Sequence, residues 1–191
     1  MIGKLRELWS YRELLRSLVV RDLKVRYKNS VLGFLWSLVN PLLLMLVFTI
    51  VFTFLLPNQS TPRFPVFVLT ALLPWSFFST AVMGATNSIV HNGHLVKKVY
   101  FPREILPIAT VLSNCANFML SLPVLFLFMA IFRVPFTWHL LYLPLIILVQ
   151  VVFTIGVALV LAAANVFYRD TAVIMEVLMQ AWFFMTPIFY P

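Results

Sequence analysis

The sequence predicts an all-α integral membrane protein. Charge is sparse, hydropathy is high, and the apolar residues gather into runs of bilayer length. Charged residues make up 10% of the chain, where a soluble domain carries about a quarter, and mean hydropathy is +0.99. Five runs, near 31–56, 66–89, 105–132, 140–164 and 171–187, approach or exceed the ~20 residues that cross hydrocarbon. Only short polar intervals separate them, so residues 1–191 form one transmembrane domain.

Residues 1–30 precede the first run and have helical periodicity. Leu14, Leu15, Leu18, Val19 and Val25 share one face, while Glu13, Arg16, Ser17, Arg21, Lys24 and Lys28 occupy the other, as in a helix lying at a membrane surface. Asp22 falls on the apolar side, with Arg26 one turn later to neutralise it. The run at 31–56 is longer than a signal-peptide core and is read as a retained span. Asn40-Pro41 predicts a kink or opening turn within it, because proline removes a backbone donor and disfavours helix at the preceding residue.

A polar turn, 57–65, leads to the run at 66–89, which Pro74-Trp75 is expected to interrupt. The run at 105–132 contains Asn114 and Asn117, whose spacing puts both amides on one helix face. After a turn at 133–139, the run at 140–164 ends in small residues, Gly156, Ala158, Ala162, Ala163 and Ala164, suited to close helix packing. Asn165–Asp170 is a polar interval before the last run, in which Glu176 is an ionisable residue at membrane depth.

Eight of the fourteen Lys and Arg residues precede the first run. With the N-terminus inside, twelve lie on the inner side and only Arg63 and Arg133 on the outer. The positive-inside rule therefore predicts a cytoplasmic N-terminus and a cytoplasmic 91–104 loop. That location accounts for the net charge of +8, and no basic-aromatic recognition module points to nucleic acid.

Several chemistries find no support. Cys115 is the single cysteine and sits in an apolar run, which rules out an internal disulfide. His91 and His94 lack a third ligand nearby, so no metal site is expected. The six acidic residues are scattered, so no catalytic residues are assigned. There is no Gly-x-x-x-x-Gly-Lys-Ser/Thr phosphate loop, and no ladder of intramembrane carboxylates and lysines for ion coupling. If the chain moves a solute, energy must come from a separate subunit.

The loop 91–104 is the longest polar interval between apolar runs. It sets Leu95, Val96, Val99, Tyr100 and Phe101 beside Lys97, Lys98, Arg103 and Glu104, with Pro102 ahead of the next run. This is the composition of a short amphipathic helix stopped by proline. From the residues alone, it serves either as a connector or as a surface that docks another protein.

The segment Arg26-Tyr-Lys-Asn-Ser-Val-Leu-Gly-Phe-Leu-Trp-Ser-Leu-Val-Asn-Pro41 resembles the opening of ABC-2 type permeases that export polysaccharides of the O-antigen, teichoic acid and polysialic acid kind. Leu73–Phe78, Leu95–Pro107, Asn165–Asp170 and Pro187–Pro191 are similar to later landmarks of that family, in the same order. The resemblance implies an ABC-2 exporter fold of six spans, the sixth lying beyond Pro191 in a chain that stops short of it. It also implies a bacterial inner-membrane homodimer and a cytoplasmic ABC ATPase that binds the ATP and Mg, leaving no cofactor in this chain.

On that pattern, Leu95, Lys97, Lys98, Tyr100, Phe101, Pro102, Arg103 and Glu104 form the helix that couples to the ATPase, with Arg169 and Asp170 at a second contact. Phe34, Trp36, Phe48, Phe52, Glu176, Trp182, Phe183 and Phe184 are candidates to line the export path. Aromatic faces suit a sliding sugar polymer, because the C–H face of a pyranose packs on a ring without a fixed hydrogen-bond pattern. Lipid-linked polysaccharide is the expected cargo. A drug or small-lipid exporter, a membrane enzyme acting on polyprenyl-linked sugars, and a scaffold are the other readings.

Overall fold

The computed structural model describes residues 9–27, 35–51 and 64–188. Within them every regular element is helical: α1 (Arg12–Tyr27), α2 (Trp36–Ile50), α3 (Phe64–His91), α4 (Gly93–Lys98), α5 (Ile105–Ile131), a 3-10 turn (Trp138–Tyr142), α6 (Leu143–Phe167) and α7 (Asp170–Met185). The runs expected at 66–89 and 105–132 match α3 and α5 to within two residues. At 1.5 Å per residue α3 is about 42 Å long, ample for a hydrocarbon core of about 30 Å. Among the described residues α3, α5 and α6 with its preceding turn are long and apolar enough to cross a membrane.

α3 is the hub and packs against α2, α5, α6 and α7. Its Val68, Leu69, Leu72, Ala81, Val82 and Ala85 are essentially without exposed surface. The polar residues drawn into this hub are satisfied locally: the Thr86 hydroxyl donates to the Val82 carbonyl at 2.8 Å and that of Ser88 to the Ala85 carbonyl at 2.7 Å. Gly84 admits α5 at close range, since a Cβ there would lie 3.0 Å from Thr110 Cγ2. α6 shows the opposite distribution: Leu145, Ile146, Leu148, Val149, Val152 and Val160 are all exposed, a face suited to lipid rather than water.

α5 ends in a Schellman motif: Val134 N–H donates to the Met129 carbonyl at 2.8 Å and Arg133 N–H to that of Ala130 at 3.1 Å. Arg133 occupies the left-handed position usually held by glycine, with φ 53°.

Several sequence expectations are corrected. The helix runs unbroken through Asn40-Pro41 and through Pro74-Trp75, so neither proline makes a turn. Hydrocarbon leaves the freed backbone no better conformation than helix. Gln150 Nε2 of α6 also donates to the Pro74 carbonyl itself at 2.9 Å, tying α6 to α3 at this point.

Asp22 pairs with Arg21 at 3.0 Å rather than with Arg26. Val25 is 66% exposed and does not join the apolar face of Leu14, Leu15, Leu18 and Val19. Of the small residues ending α6, Ala158 and Ala162 are fully buried, whereas Gly156 meets open space. The interval expected at 165–170 is helical through Phe167, and the break is Tyr168-Arg169 alone. The turn expected at 57–65 lies outside the described set as far as residue 63, and Phe64 and Pro65 already belong to α3; residues 1–8 lie outside it as well.

Candidate functional site

The polar loop forms a short helix and then an extended strap. Leu95 and Val96 N–H groups donate to the Asn92 carbonyl at 2.9 and 3.1 Å, starting α4. Val99, at φ −130° and ψ 134°, ends it. The helix therefore stops at Lys98, and Pro102 does not cap it as expected. Instead the Pro102 carbonyl accepts from Ile105 N–H at 3.1 Å and opens α5, where a missing proline donor costs nothing.

Tyr100 and Phe101 are neighbours with opposite fates. Tyr100 is 90% exposed, while Phe101 is 6% exposed and packs with Leu18, Ile105, Leu106 and Ala109. Leu95 and Val96 lean on the same cluster. Phe101 thus spends its apolar surface in fixing the loop to α1 and α5, while Leu95 is half-buried beside it. Lys97, Lys98, Tyr100 and Arg103 are exposed, whereas Pro102 and Glu104 are half-buried.

The second predicted contact lies at the same end of the bundle. Asn165, 2% exposed, donates through Nδ2 to the Thr86 carbonyl at 3.0 Å and to Asn87 Oδ1 at 3.3 Å, pinning the end of α6 to the end of α3. Its Oδ1 is buried with no partner among the described residues. Beyond this pin Phe167, Tyr168, Arg169 and Asp170 are exposed. Two exposed aromatic and charged segments, one after α3 and one after α6, are therefore held on one end. No sequence signal singled out Asn165, rather than Arg169 or Asp170, as the structural tie.

Among the described residues the path candidates do not converge within one chain. Trp36 lines a cavity of about 790 Å³ walled by α2, α3 and α5, together with Asn40, Phe77, Asn114 and Phe118. Trp182 meets Trp75 of α3 edge-on and Phe183 meets it at a tilt, with ring centroids at 6.4 and 5.8 Å, and Trp182 also meets Phe78 edge-on at 5.3 Å. Phe184 and Glu176 are exposed and do not line that cavity. Phe34 and Phe52 lie outside the described residues, as does the side chain of Phe48.

Arg26, which carried no site assignment, stands at the cavity. Its Nη2 donates to Asn114 Oδ1 at 3.0 Å. The i, i+3 spacing of Asn114 and Asn117 was the sequence signal for a polar face here.

A family profile described as ABC-2 type transporter matches residues 13–191. The chain belongs to that family. Among curated relatives of this ABC-2 chain, the "O-antigen export system permease protein RfbA" of Myxococcus xanthus is 47% identical over 192 residues, covering 100% of this chain and 73% of its own length. A protein of the same description from Klebsiella pneumoniae is 34% identical, covering 93% of this chain and 69% of its own. The "Polysialic acid transport protein KpsM" of Escherichia coli is 21% identical, covering 92% and 69%. The recognition of an ABC-2 permease of the polysaccharide-exporter kind, drawn from five short segments, agrees with these matches.

Proposed function

We propose that this ABC-2 chain is the permease subunit of an ATP-driven exporter that moves lipid-linked polysaccharide outward across a bacterial inner membrane. The observation that carries the reading is the 47% identity, along the whole chain, to a protein described as an O-antigen export permease. The geometry is consistent with it. A permease without a nucleotide-binding loop needs a firm surface for a motor, and Lys97, Lys98, Tyr100 and Arg103 stand exposed on a strap fixed from behind by Phe101.

In this reading the N-terminus and the strap are cytoplasmic, as the Lys and Arg distribution predicts. An ABC ATPase docks on the strap and on Tyr168–Asp170, and the ATP and Mg reside in that subunit. The export path forms between two copies of the permease. In one copy α3 stands between Trp36 and Trp182, so pairing with a second copy is what would bring first-span and last-span aromatics onto a common path.

The test is deletion and complementation with copurification. Cells lacking the protein lose their surface glycan and accumulate lipid-linked glycan inside, and the tagged full-length permease brings down a stoichiometric ATPase. A surface glycan that persists, together with new sensitivity to a toxic amphiphile, would instead identify a small-molecule exporter.

A further inference from the structure

We infer that the cavity between α2, α3 and α5 binds the phosphate head group of a long-chain lipid, with Arg26 as its charged anchor. The inference rests on the export reading only for the identity of that lipid.

The argument begins with where the cation sits. α1 packs through Leu18 on Ile105, Leu106 and Ala109, and its last turn delivers Arg26 to Asn114. Between Ile105 and Asn114 α5 rises about 13 Å. Arg26 keeps the solvent exposure usual for a long basic side chain near a membrane surface, but it is held at the cavity by a neutral amide rather than by a carboxylate. Among the described residues no carboxylate lines the cavity or pairs with Arg26. A guanidinium in such a place favours an anion, and its planar fork suits phosphate oxygens.

The rest of the lining favours the same ligand. Among the described residues the side chains of Asn40 and Ser76 make no hydrogen bond, so their donors, with the remaining N–H groups of Arg26, are uncommitted. A ligand rich in acceptors satisfies all three residues at once. Leu43, Leu44, Val47, Leu73 and Phe77 make the adjoining wall apolar, as a lipid chain requires. At about 790 Å³ the space falls in the usual range for ligand sites, ~300–1,000 Å³. A diphosphate with the first few branched units of a carrier chain, or the head and upper chains of an anionic phospholipid, fits these terms.

The test uses the full-length permease in phosphatidylcholine nanodiscs, photolabelled with a diazirine-bearing decaprenyl diphosphate or with the matching decaprenol that lacks phosphate. Labelled peptides are located by mass spectrometry. The expected result is diphosphate labelling of α2 and α3 at least fivefold above that of the alcohol, falling to the alcohol's level in Arg26→Gln and largely kept in Arg26→Lys. Arg21→Gln, whose wild-type arginine pairs with Asp22 away from the cavity, serves as the control and keeps full labelling.

Excess phosphatidylglycerol separates the two sources. Displacement identifies a bulk anionic phospholipid, and resistance identifies a carrier-lipid phosphate. Equal labelling of wild type and Arg26→Gln, or equal labelling by the alcohol, overturns the site. Should Arg26→Gln not purify as a single species, Asn40→Ala decides, because it leaves the Arg26–Asn114 bond in place: at least a twofold loss of diphosphate labelling supports the site, and unchanged labelling refutes it. Phosphate-dependent labelling in a protein whose deletion spares the surface glycan keeps this site and removes the export reading. Glycan loss on deletion with normal labelling of Arg26→Gln removes this site alone.

Discussion

Replacing Tyr100 and Phe101 one at a time separates the proposed docking surface from the packing behind it. Phe101 is 6% exposed. A buried phenylalanine removes roughly 150–250 Å² from solvent, and at about 25 cal/mol per Å² its truncation forfeits some 4–6 kcal/mol as an upper bound. Measured Phe→Ala changes in cores run about 3–5 kcal/mol.

Phe101→Ala should therefore lower the thermal midpoint of the purified permease by roughly 10 °C, on the scaling of about 2–4 °C per kcal/mol for chains of this size. Tyr100, 90% exposed, contributes little to folding, so Tyr100→Ala should stay within about 0.5 kcal/mol of wild type. The two variants are compared by fluorescence-detected size exclusion after heating and by surface glycan immunoblot in a complemented deletion strain. The expected pattern is a stable, export-deficient Tyr100→Ala beside a destabilised Phe101→Ala. Equal midpoints for the two variants would refute the assignment of Phe101 to the core, and full export by a stable Tyr100→Ala would refute the docking role of the strap.

Three further outcomes follow from the geometry. Gly84→Val should weaken α3–α5 packing by about 1–3 kcal/mol, and Thr110→Ser, which removes the Cγ2 that the new side chain would meet, should restore much of the lost thermal midpoint. Arg133→Gly should stabilise the permease by about 1 kcal/mol by relieving a left-handed non-glycine residue, visible as a rise in midpoint with export unchanged. Asn165→Ala should cost about 1–2 kcal/mol by releasing the end of α6 from Thr86 and Asn87, and hydrogen exchange should accelerate first around residues 165–170.

What the sequence disclosed, and what it concealed, divides along physical lines. Apolar run length located α3 and α5 to within two residues because hydrocarbon thickness fixes it directly. The turn rule for proline misled at Pro41 and Pro74, since it describes chains whose freed backbone groups can turn to water. The charge partner of Arg26 was misread because i, i+4 spacing is only a local rule. Asp22 was taken by the adjacent Arg21, and α1 packs on α5 so that Arg26 meets Asn114, 88 residues away in sequence. Within the loop, composition identified a mixed aromatic and basic segment but not its orientation. That orientation depends on where α4 ends, and a shift of one residue there would exchange Tyr100 for Phe101.

That exchange bears on how a push spreads through the molecule. A load applied at the Tyr100 ring passes through a single peptide unit to Phe101, which is wedged against Leu18 on one helix and Ile105, Leu106 and Ala109 on another. If the strap receives the proposed ATPase, it would work as a rivet rather than a spring, sharing its travel from the outset between the surface helix α1 and the spanning helix α5. On the proposed coupling, stiffness at this joint would set the stroke of the whole permease, and a softer residue at 101 would shorten that stroke even in a protein that still folds and still binds the proposed ATPase.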